Sequence, residues 1–267
     1  MTNIVVIGAA GRMGKTIISC IDDTEGVEVA GGTEVPGHPA VGQDAGEIAG
    51  IGLKNAPIVD RLEDALGNCD AIIDFSSLEA SMNTVRLAAA EGKALVLGTT
   101  GFSSEQKKEI ADLSQSFRLV MAPNMSIGVN VLFKLVRDAA EILGDAYDVE
   151  IVEAHHKFKK DAPSGTAVRI SEIVADALDR DLNEVGVYGR RGMAERGKKD
   201  IGIHTLRAGD IVGEHRVLFG GMGENLEIFH RAQSRETFAR GAVRAAQWIH
   251  GQKPGLYDMQ DVLGLRT

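Results

Sequence analysis

The sequence predicts an α/β protein: a doubly wound parallel sheet followed by a smaller α+β domain with a mixed sheet. Three observations carry that reading. Short aliphatic runs, NIVVIG at 3–8, DAIIDFS at 70–76, KALVLGTTG at 93–101 and FRLVMAPN at 117–124, recur with stretches of helical character between them, the alternation of a parallel sheet with its crossover helices. The first run opens directly into a turn with glycines at 8, 11 and 14 and then a helix. Beyond residue 200 the pattern changes to sequential, turn-bounded strands, which favours antiparallel or mixed pairing.

Taken in order, the first strand and its glycine turn are Rossmann-like. Glycine serves there because the turn is tight, the backbone has to approach a pyrophosphate, and the helix has to lie close to the strand. The next strand, VEVAGGTE, ends in Glu34, 20 residues beyond Gly14, where a carboxylate accepts hydrogen bonds from the ribose hydroxyls of an adenine nucleotide. A P-loop competes for the same stretch, since Gly14-Lys15-Thr16 supplies its ending and CDAIIDF resembles a Walker B strand. Its spacing needs glycine where Ala9 stands. A Gly- and Pro-rich loop is expected over 35–57, then APIVD, a short helix, and helices at about 78–91 and 103–115. Ligands of such sheets bind at the carboxyl ends of the strands, so Phe75-Ser76, Gly98, Thr99, Thr100, Ala122, Pro123, Asn124 and Met125 are the expected rim, and with Gly8, Ala9, Ala10, Gly11, Arg12, Met13 and Glu34 the last seven are the candidate cofactor residues.

Ser126 starts a helix with apolar residues at 129, 132, 135, 136, 139 and 142, which Gly144 ends. A buried strand through Val149, Ile151 and Val152 then leads into EAHHKFKKDAPSGTA at 153–167. Five of the six side chains from His155 to Lys160 are His or Lys, in a chain with 29 Lys+Arg against 38 Asp+Glu and a net charge of -9. So local a concentration of positive charge points to an anionic small molecule. Ser164 and Thr166 can cap a helix over about 165–178, whose free N–H groups suit a carboxylate. The bland reading, a solvated lysine loop and an ordinary cap, explains each part separately. The region 180–199, with Arg190, Arg191, Arg196, Lys198 and Lys199, reads as a solvated loop. Strands at about 200–207, 214–220 and 224–231, a helix at about 235–250 and a short tail close the chain. The expected division is a dinucleotide domain over 1–125, with 240–267 packing back on it, and a substrate and oligomerisation domain over 126–239, with function between the two.

Composition excludes several classes. A sequence pI near 5.3 and 4% aromatics argue against a nucleic-acid surface. No apolar run is long enough to span a membrane, and the first strand has no basic leader before it, so neither a membrane anchor nor a signal peptide is expected. Cys20 and Cys69 lack paired spacing, which fits a reducing cytoplasm. A metal hydrolase would draw on His155, His156, His204, His215 and His230, but adjacent strand histidines face opposite sides and no HExxH accompanies them. A serine hydrolase on Ser164 lacks the GxSxG elbow. A non-catalytic NAD-binding sensor would keep the glycine loop and have no use for HHKFKK.

The motifs GAAGRMG at 8–14, GTTGF at 98–102, NMSIGVNV at 124–131, EAHHKFKKDAPSGTA at 153–167 and RAGDIVGEH at 207–215 closely resemble, end to end, the dihydrodipicolinate reductase family, whose members act in the diaminopimelate route to lysine. The resemblance implies reduction of 4-hydroxy-tetrahydrodipicolinate with loss of water, NADH or NADPH as cofactor, no metal, a cytoplasmic homotetramer, His155 as general acid or base, Lys159 as a catalytic cation, and His156, Lys159, Ser164, Gly165 and Thr166 as substrate ligands. Whether the final proton comes from His155, Lys159 or water is left open. Two departures stand out. Where an arginine can follow the ribose-binding acid, this chain has Val35, Pro36 and Gly37. A preference for NADH is therefore expected, with Arg12 and Lys15 the only nearby cations for a 2′-phosphate. Pro123 and Met125 vary the nicotinamide rim, harmlessly if the backbone makes the contacts.

Overall fold

A computed structural model of the chain describes residues 1–266. It divides into two compact units, residues 1–127 with 235–267, and residues 128–234. The return to the first unit falls at 234/235 and not at 239/240, because the helix that begins at Glu236 belongs as a whole to the first unit's core.

The first unit opens with β1 (Thr2–Ile7), α1 (Arg12–Asp22), β2 (Val27–Thr33), α2 (Ala45–Ala49), β3 (Ile58–Val59), a 3-10 turn, β4 (Ala71–Asp74), α3 (Leu78–Ala90), β5 (Ala94–Leu97), α4 (Ser104–Leu113) and β6 (Arg118–Met121). Next come α5 (Ile127–Leu143), a second 3-10 turn, β7 (Asp148–His155), α6 (Gly165–Ala177), α7 (Leu182–Val185), β8 (Gly186–Tyr188), β9 (Ile201–Arg207), β10 (Gly213–Gly220) and β11 (Asn225–Ala232). The chain closes with α8 (Glu236–Ile249), β12 (Gly255–Tyr257) and α9 (Met259–Val262).

In the first unit seven strands lie in the order β12-β6-β5-β4-β1-β2-β3, all parallel. Alternation along each strand supplies two cores. Ile4, Val6, Ile73 and Val96 face α1 and α8, while Val5, Ile72, Leu95 and Leu119 face α3 and α4. This is the doubly wound sheet, and its order reverses at β1, so the crevice beyond Ile7 and Asp74 is where a ligand belongs. Two elements are additions to the expected pattern. The Gly/Pro-rich stretch contains α2, nucleated by Asp44, whose carboxylate accepts N–H groups of Gly46, Glu47, Lys54 and Ala56. The tail contributes β12, which pairs with β6.

In the second unit five strands lie in the order β11-β10-β7-β9-β8, with β10 antiparallel to both neighbours and β7, β9 and β8 parallel. Val149, Ile151, Ile201, Ile203, Val217 and Phe219 cover one face against α5 and α6. The segment expected to be a solvated loop holds α7 and β8. Three of its arginines are also paired: Arg180 with Asp145, Arg196 with Asp148 and Glu150, and Arg190 with Glu150 and Asp200.

Candidate active site

The first unit builds a dinucleotide cradle. Gly8 has φ +67, which favours glycine, and Gly11 N–H donates to the Gly8 carbonyl at 3.0 Å. A Cβ at Gly14 would lie 2.1 Å from the same carbonyl oxygen, so α1 can approach β1 this closely only without a side chain there. Gly11 caps α1 without a side-chain hydrogen bond, leaving the first-turn N–H groups of Arg12 and Met13 for an anion. Glu34 accepts the Ala10 N–H at 2.9 Å, which fixes the acid beside the loop. A cavity of about 630 Å³ opens beside them, lined by Gly8, Thr33, Glu34, Val35, Asp60, Arg61 and Ser76 among others. These features fit an adenine dinucleotide.

The cations around Glu34 differ from expectation. Lys15 lines a separate hollow with Cys20, Asp23 and Glu236, while Arg61 lines the Glu34 cavity beside Asp60 and Glu63. Exposed residues at the site's edge are hard to place from spacing alone, and Arg61 arrives from the turn after β3. At the other strand ends, the Thr99 hydroxyl accepts from Ser81 at 2.8 Å, and Gly98 packs where a Cβ would meet the Phe75 ring. Met125 is buried, with its carbonyl against Gly241 of α8, whereas Pro123 is exposed. Asn124 Oδ1 accepts the Ser126 N–H at 2.8 Å.

The second unit builds an acid–base centre at the end of β7. Residues 149, 151, 153 and 155 share the covered face, so the aliphatic pair at 149 and 151 is continued by Glu153 and His155. Glu153 is 0% exposed. Its Oε2 lies 2.6 Å from His155 Nδ1 and accepts Arg207 at 2.8 Å; its Oε1 accepts Ser164 N–H at 3.0 Å and Arg207 at 2.9 Å. Burial pushes this carboxyl up, but the hydrogen bonds from His155, Arg207 and Ser164 outweigh it and hold it down at about 2. Ser164 is the N-cap of α6, accepting Ala167 N–H at 3.2 Å, and its hydroxyl meets His215 Nε2 at 3.2 Å. His215 is 3% exposed and pushed down to about 3, first by burial and then by the neighbouring His155.

Of the expected substrate ligands, His156 is half-buried with its Nδ1 unpartnered, Lys159 pairs with Asp161 at 2.9 Å, Gly165 is exposed at the first position of α6, and Thr166 is buried in its first turn. Only Ser164 acts as the N-cap; Thr166 lies inside the helix. His204 meets Glu150 at 2.7 Å on the opposite face of the sheet from His155. Among the described residues no group of three or more His, Cys, Asp or Glu is placed to hold a metal. Residue-by-residue reading missed Glu153, Arg207 and His215 as site members. The i, i+2 spacing of Glu153 and His155 on a strand was the available signal for the first.

A glycine cradle with a ribose-side acid on one unit, and a buried carboxylate–imidazole pair beside a helix N-terminus on the other, define a nucleotide-dependent oxidoreductase of a small anionic substrate. The chain belongs to the dihydrodipicolinate reductase family: residues 2–125 match that family's N-terminal domain and residues 128–263 its C-terminal domain. The N-terminal unit is accordingly a nucleotide-binding domain, and the cofactor is NAD(P)H. The chain is 54% identical over 267 residues to a 4-hydroxy-tetrahydrodipicolinate reductase from Hahella chejuensis and 55% identical to one from Geotalea uraniireducens, covering 100% of each pair. Among solved structures it is similar to a dipicolinate-bound dihydrodipicolinate reductase from Paenisporosarcina sp. TG-14, with TM-score 0.77, 22% identity and 98% of both chains covered. It is also similar to a myo-inositol dehydrogenase from Corynebacterium glutamicum, with TM-score 0.60 and 14% identity over 99% of this chain and 93% of that one. At such identities the likeness shows the fold alone.

Proposed function

We propose that the chain catalyses the NAD(P)H-dependent reduction of 4-hydroxy-tetrahydrodipicolinate to tetrahydrodipicolinate with loss of water, in lysine biosynthesis by the diaminopimelate pathway. The observation that carries the reading lies on one unit, where the Glu153 carboxylate bonds both His155 and the Ser164 N-cap of α6, with Lys159 in the loop between them. The backbone of Gly8–Met13, Glu34, Gly98–Thr100 and Ala122–Met125 would hold the dinucleotide. When bound, the nicotinamide supplies the hydride.

Hydride addition to the unsaturated ring leaves negative charge that needs a proton. As the imidazolium, His155 keeps one hydrogen on Nδ1 against Glu153 and gives up the other from Nε2, which leaves the neutral Nδ1–H ring. Lys159 supplies positive charge where negative charge grows, while His156, Ser164 and the N–H groups of Gly165 and Thr166 seat a ring carboxylate. A preference for NADH is supported by the surroundings of Glu34, where Asp60 and Glu63 line the same cavity and Arg61 is the cation among them. A homotetramer is supported by the uncovered sheet face, which carries Leu206 and Phe229, 53% and 42% exposed. Cys20 and Cys69, both free and buried, fit a cytoplasmic setting, and no helix among the described residues is long and apolar enough to cross a membrane.

The test is nicotinamide oxidation at 340 nm, with substrate made in situ from pyruvate and aspartate semialdehyde by the preceding enzyme. Wild-type turnover is expected, and His155→Gln should lower kcat by roughly 100-fold with a much smaller change in KM. Tight NADH binding without turnover would overturn the proposal in favour of a sensor.

A further inference from the structure

The Glu153 carboxylate is fully buried, and a buried charge is costly unless each of its lone pairs is used. Arg207 alone would neutralise it in a bidentate pair. Each oxygen instead takes a second donor as well: His155 Nδ1 on Oε2 and the Ser164 backbone N–H on Oε1. We propose that Glu153 is a positioning residue that fixes the tautomer of His155 and, through Ser164, ties the proton donor to the anion seat at the start of α6, with Arg207 locking the carboxylate in place. This rests on the reductase reading given above.

Three features support it. An ionised carboxylate only accepts, so neutral His155 carries its hydrogen on Nδ1 and its lone pair on Nε2. Nε2 faces Gly213 of β10, where a Cβ would come within 3.1 Å of it, so the missing side chain leaves that nitrogen unwalled. On the far side of Ser164, His215 holds the hydroxyl and stays neutral, so it does not compete for the carboxylate. The charged and titratable groups around the pair are Arg207 on β9, His215 on β10, and Lys159 with Asp161 in the loop after β7. Arg207 also donates to the Asp161 carbonyl at 2.5 Å, which pins the loop carrying Lys159.

The experiment combines imidazole NMR of the ligand-free full chain, labelled with 15N-histidine, with steady-state kinetics and binding of pyridine-2,6-dicarboxylate as a probe. In wild type, neutral His155 should be the Nδ1–H tautomer. In Glu153→Gln, whose amide presents a donor toward Nδ1, the Nε2–H tautomer should gain population, with kcat down roughly 100-fold and both KM and the probe's Kd changed less than about threefold. A residue that only stabilises the fold would leave the tautomer unmoved. If the Gln variant does not fold, Glu153→Asp keeps the charge for Arg207 but falls short of Nδ1, and should show the same loss of kcat. Wild-type His155 found as the Nε2–H tautomer, or a folded variant of either kind with kcat within about threefold of wild type, would overturn the proposal. A wild-type protein inert toward the substrate overturns the reductase reading instead, and the tautomer measurement still decides the role of Glu153.

Discussion

His215 offers a direct check on the electrostatics of the site. Its folded-state value is depressed from 6.5 to about 3, chiefly by burial, so the folded chain keeps it neutral while the unfolded chain protonates it. The sign follows from linkage: wherever the unfolded state binds more protons, stability falls as pH falls. The contribution is therefore fully present above 6.5 and is lost as pH drops toward about 3. Between pH 8 and 4.5 the loss from this one group is roughly 3 kcal/mol. That window lies above the range in which Glu153, also depressed, gives up its own contribution on the way down to about 2. His215→Gln places an amide near the Ser164 hydroxyl and removes the titration. Urea unfolding of both proteins, at one protein concentration and at pH 8 and 4.5, should show wild type losing more stability than the variant by about 3 kcal/mol. The wild-type His215 ring resonances should stay unshifted across the same range. Titration of His215 near 6.5, or equal acid losses in both proteins, refutes the argument that burial keeps this imidazole neutral.

Two further expectations concern the cradle. The 2′-phosphate of NADPH would bring nearly two negative charges close to Glu34, and at about 4 Å even bulk water leaves about 1 kcal/mol of repulsion per pair of charges. NADH should then exceed NADPH in kcat/KM by roughly 30-fold, and Glu34→Gln should narrow the gap; equal wild-type values would discard the cofactor argument. Gly14→Ala would set a methyl 2.1 Å from the Gly8 carbonyl oxygen and 2.7 Å from that of Ala9, both backbone. Its NADH Kd, measured by fluorescence titration, should rise at least about tenfold with a lower Tm, since overpacking forces backbone shifts. A wild-type Kd would show that α1 can back away from β1 without cost to the site.

Much of this was legible in the residues. Glycines at 8, 11 and 14 between a β-branched run and an amphipathic helix carry their own geometry, and the placing of Glu34 at the end of the second strand follows from chain length alone. What escaped depends on partners distant in sequence. Strand β8 has three residues and exists because β9 pairs with it, and β12 likewise leans on β6. Helix α2 forms because Asp44 collects N–H groups from as far as Ala56, which a Gly- and Pro-rich composition does not advertise. Arg196 reads as a solvated cation in a polar run, yet its partners Asp148 and Glu150 sit on β7, 46 to 48 residues earlier.

The same reasoning explains why the centre of the site was only half visible. His155 and the lysines announce themselves as a departure from an acidic chain, whereas Glu153 looks like one more acid in that chain. Its significance comes from pairing. In the register of the second sheet, His155 stands opposite Arg207 on β9, and Glu153 stands opposite His215 on β10. Both pairs share the covered face with Val149 and Ile151, so the apolar packing that sets this register also assembles the charged groups. A slip of one residue in β7 would turn Ile151 out of the core and, in the same motion, carry Glu153 and His155 to the opposite face. The hydrophobic pattern of the strand is therefore part of the acid–base apparatus, and mispairing costs stability and chemistry together.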